Sequence, residues 1–188
     1  MKTILLSSLL GLLCVSLVQA DVLVQPDFDV KQFSGLWYVV SMVSDCKVFL
    51  GMKEHLFMST ILINAIEGGN LSVHMAIPRT EGCQTMDAEY LKIGSEGHFK
   101  VPASGFLDVR VVETDYKAYG ILYIYKELEG VFSTMVRLFS RTQDVSPKAL
   151  RAFQDFYPIV GLEDDMMYLL PKSGSFGRCF HHHFLPGN

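Results

Sequence analysis

The sequence predicts an all-β protein, an eight-stranded up-and-down antiparallel β-barrel with one C-terminal α-helix packed on the outside. Three observations predict it. From residue 35 to residue 141 apolar and polar side chains alternate with a period of two. Short turn signals separate the alternating runs, among them Glu67-Gly68-Gly69-Asn70, Gly94-Ser95-Glu96-Gly97, Pro102-Ala103-Ser104-Gly105 and Glu127-Leu128-Glu129-Gly130. A single helical pattern follows the last run. Eight strands joined by short connections close into a barrel and lose their edges, and a barrel of that size either fills its interior or holds one small ligand.

The first element is not part of that fold. Lys2 precedes an apolar run from Ile4 to Val18, followed by the small-residue pattern Val18-Gln19-Ala20, so residues 1–20 read as a secretory signal peptide. The rest is one domain's length of chain. The full sequence carries a net charge of −4, and removing Lys2 with the leader makes it −5. With 49% apolar and 19% charged residues the chain is not disordered. Mild acidity without a Lys/Arg cluster argues against nucleic acid and anionic membranes as partners. After the leader no run approaches the ~20 apolar residues of a membrane span, so membrane insertion is not expected. Cys46, Cys83 and Cys179 remain; an oxidising compartment favours pairing, but three leaves one thiol over or paired between chains. Asn70-Leu71-Ser72 is an acceptor sequon, marking Asn70 as a glycosylation site on a surface turn.

The strands are expected at 35–43, 58–66, 71–77, 85–90, 98–101, 107–112, 119–127 and 134–141. The third is the clearest: Leu71, Val73, Met75 and Ile77 face one way, Ser72, His74 and Ala76 the other. Residues 119–125 and 134–141 are apolar on both faces, which requires a cover on the outside. The helix over 146–157 supplies it: Ser146 as N-cap, Pro147 at the first position, and Leu150, Phe153 and Tyr157 on one face. Residues 166–170 read as a short strand at the sheet edge. The domain therefore spans 21–172, and the Gly- and His-rich residues 173–188 read as a loosely ordered tail. His181, His182 and His183 lie in that tail and lack a supporting shell, so no metal site and no cofactor are expected.

Three motifs carry a resemblance. Gly35-Leu36-Trp37-Tyr38 opens the first strand, Thr114-Asp115-Tyr116 forms the turn between the sixth and seventh, and Arg141 closes Leu138-Phe139-Ser140 on the eighth. In this order and spacing, over about residues 22–172, the chain resembles the lipocalins. The resemblance implies an eight-stranded barrel with Trp37 plugging its closed end and the Arg141 guanidinium over the indole, and it makes Gly35, Trp37, Thr114, Asp115, Tyr116 and Arg141 structural. It also implies a disulfide between Cys83 and Cys179, which would leave Cys46 as a spare thiol in the large loop after the first strand.

The alternation points an apolar lining into the barrel. Val39 comes from the first strand, Leu71, Val73 and Met75 from the third, and Met86 and Tyr90 from the fourth. Leu107, Val109 and Val111 follow from the sixth, Leu122 and Ile124 from the seventh, Met135 and Phe139 from the eighth. Methionine-rich walls adapt to differently shaped ligands. Two cations share this phase, Lys126 with Leu122 and Ile124, and Arg137 with Met135 and Phe139. An unpaired charge on an apolar wall is costly, so each either meets a ligand carboxylate or finds a protein partner or the rim. The expected function is a secreted, non-enzymatic carrier that transports a small hydrophobic molecule, a fatty acid or retinoid-like compound. The alternative is a secreted interaction protein, engaging a cell-surface receptor, whose barrel is a scaffold. A prostaglandin-isomerase-like activity, which the resemblance also brings up, is disfavoured because Ser59 stands where that branch carries its cysteine, and a hydroxyl without an activating base is a weak nucleophile. Siderophore binding, which the resemblance brings up as well, is disfavoured too: of the three cation positions that the resemblance implies for it only Lys126 matches, while Ala88 and Met135 occupy the others.

Overall fold

The computed structural model describes residues 21–80, 82–102, 105–174 and Cys179. The leader and His181–His183 lie outside the described residues. Within them the chain forms nine strands: β1 Gly35–Ser44, β2 Ser59–Ala65, β3 Leu71–Arg79, β4 Gly82–Lys92, β5 His98–Lys100, β6 Phe106–Thr114, β7 Tyr119–Leu128, β8 Val131–Ser140 and β9 Met167–Leu169. Their order is β2-β3-β4-β5-β6-β7-β8-β1-β9, and β1 also pairs with β2. All pairings are antiparallel, and the β1–β2 ladder from Gly35↔Ile63 to Val39↔Ser59 closes eight strands into a barrel. The short strand at 166–170 takes the edge of β1 that β2 leaves, pairing Ser41 to Val43 with Leu169 to Met167.

The helices α1 Val30–Phe33, α2 Lys47–Met52 and α3 Pro147–Phe156 accompany the sheet. The sequence predicts only α3. Its Ser146 side chain accepts the N–H of Ala149, and Ala149 and Phe153 are buried. It packs on β7 and β8, the two strands whose outer faces are apolar, with Ile121, Val136 and Leu138 buried. The helices α1 and α2 are too short to carry a 3.6-residue pattern. Asp29 nonetheless caps α1 by accepting from Lys31 and Gln32 N–H groups, and α2 lies in the long loop after β1, where only Phe49 of its residues is buried. The segment from Asp21 is laid against β6: Arg110 is bonded to Asp21 and to Val22 O, and Gln25 N donates to Val111 O at 2.7 Å.

Two bulges break the period of two. Between Val39 and Ser41 the β1–β8 register shifts by one, so Val39 faces Phe139 but Met42 faces Arg137. The strict alternation that places Val39 inside would put Val43 inside as well; the bulge turns Val43 outward and Met42 inward. A second shift between Val111 and Glu113 brings Thr114 opposite Gly120.

Candidate functional site

The closed end is built from the three motifs. Trp37 is 0% exposed and its indole N–H donates to Phe33 O at 2.7 Å. Phe33 and Phe139 pack against the indole with ring centroids 5.1 and 6.2 Å away. The Arg141 guanidinium carbon lies 3.6 Å from the centre of the Trp37 rings. Its nitrogens donate to carbonyls at 2.8–3.0 Å, Nη1 to Leu36, Nη2 to Gln32 and Ser34, and Nε to Tyr116. Gly35 sits at φ +104°, and a Cβ there would stand 3.2 Å from Arg141 Nη1, so both its backbone and the close approach require glycine. In the Thr114-Asp115-Tyr116 turn, Asp115 Oδ1 accepts the N–H groups of Lys117, Ala118 and Tyr119, while Thr114 Oγ1 donates to Tyr119 O. The Trp37, Thr114, Asp115 and Arg141 side chains all bond to backbone groups, which makes this end a plug.

The open end is lined differently. One chamber of about 70 Å³ lies among β3 to β8. Val73 and Met75 face it from β3, Met86, Ala88 and Tyr90 from β4, Leu107 and Val109 from β6, Ile124 from β7, with Val101 and Arg137 completing it. A second chamber of about 100 Å³ lies on the β1–β2 side. Val39, Met42 and Ser59 line it from β1 and β2, Met75, Ile77 and Arg79 from β3, and Arg137 from β8. Leu56, Phe57 and Leu170 cover it. Met75 and Arg137 belong to both chambers and form the partition between them.

Of the residues expected in the lining, Leu71, Val111, Leu122 and Phe139 are buried and line neither chamber, Met135 lines neither as well, and Phe139 belongs to the floor around Trp37. Lys126 faces inward opposite Leu107 and Ser133, above both chambers and toward the rim. Met86 is on the inner face yet 43% exposed, so the first chamber opens beside β4. The sequence reading missed Met42, hidden by the bulge, and Leu56, Phe57 and Leu170, which come from outside the strands. It also missed Arg79, two residues beyond the point where the β3 alternation was taken to end.

Arg137 is half-buried. Its Nε contacts Met135 Sδ at 3.4 Å, and among the described residues no carboxylate or carbonyl oxygen is bonded to it. Burial pulls its pKa below the usual arginine value, and the nearby Tyr90 opposes the shift. Tyr90 in turn is pushed up by burial, with the Arg137 charge opposing. These two groups bring a cation and a phenol to one apolar cavity.

A disulfide joins Cys83, on the β3–β4 hairpin at the mouth, to Cys179, with Cα atoms 5.4 Å apart and 96 residues between them. Closing so long a loop stabilises by about 4–5 kcal/mol in the chain-entropy description. Cys46 is a free, half-buried thiol preceding α2. Asn70 is half-exposed in the β2–β3 turn, its Oδ1 accepting Lys92 N–H at 2.8 Å. Among the described residues no group of three or more His, Cys, Asp and Glu side chains could hold a metal ion, and no helix is long and apolar enough to cross a membrane.

Residues 34–174 match the model of the Lipocalin / cytosolic fatty-acid binding protein family. Lipocalin-15 of Homo sapiens is 63% identical over 173 residues, 92% of this chain and 94% of that protein. The extracellular fatty acid-binding protein of Coturnix japonica is 31% identical, covering 92% of this chain and 95% of its own. A prostaglandin-H2 D-isomerase of Equus caballus is 29% identical over 93% of each. The solved structure described as "The Siderocalin Ex-FABP functions through dual ligand specificities" superposes with a TM-score of 0.72 at 28% identity, over 77% of this chain and 97% of that one. With barrel, motifs and family model in agreement, the chain belongs to the lipocalin family, whose members bind small hydrophobic ligands.

Proposed function

We propose that the protein is a secreted, non-enzymatic carrier of a small hydrophobic molecule with an anionic head, a fatty acid or retinoid-like compound, held in the barrel with its head at Arg137. The observation that carries this reading is Arg137 itself: a half-buried guanidinium between two largely apolar chambers, bonded to no carboxylate among the described residues. Leaving such a charge unpaired is costly, and a ligand carboxylate within reach of Arg137 and Tyr90 removes the cost. The chambers of about 70 and 100 Å³ are smaller than the ~300–1,000 Å³ of typical ligand sites. Met75 and Arg137 form the partition, and both are long, flexible side chains, so a ligand that displaces them unites the chambers. Secretion agrees with the leader pattern, the disulfide and the extracellular fatty acid-binding relative. Asn70 is the proposed glycosylation site.

Ser59 lines the second chamber, its Oγ donating a 3.4 Å bond to Phe57 O; among the described residues no base is bonded to it, which supports the carrier over the isomerase reading. The small chambers favour a second reading, in which the barrel is a scaffold for a receptor. Displacement of a fluorescent fatty acid separates the two. The carrier reading expects Arg137→Ala to weaken binding tenfold or more and Lys126→Ala to weaken it less; unchanged affinity in both ends the proposed headgroup role. No binding to wild type at saturating concentrations supports the scaffold.

A further inference from the structure

A groove of about 610 Å³ lies on the outside of the closed end and shares no residue with either chamber. Its apolar lining comes from two places. Phe28 precedes α1 and Val30 opens it; Ala65 ends β2 and Ile66 follows. Gly69 of the β2–β3 turn and Glu96 of the β4–β5 turn complete it, with Asp29 and Lys31 as its other polar groups. Ile66 is 40% exposed there, an aliphatic side chain standing in an open apolar depression.

The sequon Asn70-Leu71-Ser72 begins at the lip of this groove, directly after Gly69. Ile66 N donates to Asn70 O at 2.9 Å, so the backbones of the exposed isoleucine and of the acceptor asparagine touch. The Asn70 amide has a fixed direction. Its Oδ1 accepts Lys92 N–H at 2.8 Å, which leaves Nδ2, the atom to which a sugar is joined, on the other side. A Cβ on Gly68 would stand 3.6 Å from that nitrogen; glycine leaves the space to the sugar.

The first sugar of an N-linked glycan, N-acetylglucosamine, has a ring face of C–H groups and an acetamide methyl that pack on aliphatic and aromatic side chains. Its hydroxyls bond to polar groups at a rim. It is uncharged, so a groove in which Lys31 is balanced by Asp29 and Glu96 receives it without a counter-ion. A sugar tethered within a few bonds of Ile66 also loses little translational freedom on docking, which a free partner does not share. We propose that the glycan on Asn70 covers this groove, its first N-acetylglucosamine seated against Ile66 and Val30, so that the closed end is shielded by the chain's own sugar. The inference rests on the reading of Asn70 as glycosylated and adds where the glycan sits.

The test uses protein secreted from mammalian cells grown with a mannosidase inhibitor, then trimmed by endoglycosidase H to one N-acetylglucosamine. Ser72 is exposed on β3, so Ser72→Ala from the same cells removes the sequon and keeps Asn70 with its bond to Lys92. In urea the unfolding constant of the one-sugar form is expected to be about three- to tenfold lower than that of Ser72→Ala. Adding Ile66→Ser to both proteins is expected to shrink this difference to within about 1.5-fold, a cycle in which the effect of Ser72→Ala itself cancels. In the wild-type background, nuclear Overhauser contacts are expected from the acetamide methyl to the Ile66 and Val30 methyls. An intact mass showing Asn70 unmodified overturns the glycosylation reading and this inference together. A glycosylated protein without those methyl contacts, or with a sugar effect that Ile66→Ser leaves unchanged, overturns the placement and leaves the glycosylation standing. Self-association of the one-sugar form that Ile66→Ser abolishes would seat a second copy in the groove and likewise overturn the placement.

Discussion

Arg137 on β8 and Arg141 just beyond its end lie four residues apart on the chain, yet at opposite ends of the cavity's chemistry. At the closed end the Arg141 guanidinium donates to four backbone carbonyls and stacks on Trp37. At the open end the Arg137 guanidinium meets a thioether and a cavity. The same chemical group is spent on fold in one place and left available in the other. A satisfied buried cation marks structure; a cation on an apolar wall without an acidic partner marks a place where something else completes the charge.

The comparison breaks first at the floor. Trp37→Ala empties a fully buried indole from among Phe33, Phe139 and Arg141, and the expected loss is about 3–5 kcal/mol in urea unfolding. Removing the disulfide with Cys83→Ser and Cys179→Ser is expected to lower stability by about 4–5 kcal/mol, with fatty acid affinity nearly unchanged because neither cysteine lines a chamber. A comparable loss there in affinity would show that the hairpin at the mouth sets the cavity's shape.

The two arginines then test each other directly. Arg141→Leu leaves four carbonyls short of a donor and is expected to cost about 2–4 kcal/mol. Arg137→Leu removes a poorly solvated charge from an apolar wall and is expected to leave stability within about 1 kcal/mol of wild type or raise it, while fatty acid binding falls tenfold or more. Should Arg137→Leu destabilise the fold as much as Arg141→Leu, the contrast between the two ends is lost.

The floor was legible in the sequence because its residues are tied to one another by local geometry: Gly35-Leu36-Trp37 opens a strand, Thr114-Asp115-Tyr116 turns on its own side chains, and Arg141 follows Ser140 at the end of β8. The strand faces were legible wherever the period of two ran unbroken, as on β3 and β4. The cavity was legible only in part. The bulge after Val39 reverses the inner face, so Met42 could not be found by alternation. Leu56, Phe57 and Leu170 reach the second chamber from a loop and a chain end that have no period. Arg79 was readable in principle, since it keeps the phase of Ile77, but a charge next to Pro78 and a turn reads as the end of a strand. Nothing in the alternation tells that Met75 and Arg137 divide the interior, because that depends on side-chain packing across the barrel.

The smallest expected effect lies outside both ends, under α3, and gives the comparison its baseline. Tyr157 is buried against Phe153, with ring centroids 5.2 Å apart, and its hydroxyl donates to Asp164 at 2.5 Å. Burial first, and the Asp164 carboxylate second, push its pKa up to about 12. The folded state therefore holds this proton more tightly than the unfolded chain, in which a tyrosine titrates near about 10. The resulting stability is complete below pH ~10 and is lost as the pH rises through about 12. Urea midpoints measured from pH 8 to 12 are expected to fall more steeply for wild type than for Tyr157→Phe over the upper part of that range. Ligand affinity should stay the same in the variant at pH 8, since Tyr157 touches neither chamber. Parallel alkaline slopes in the two proteins would show that the Tyr157 hydroxyl titrates alike in the folded and the unfolded chain.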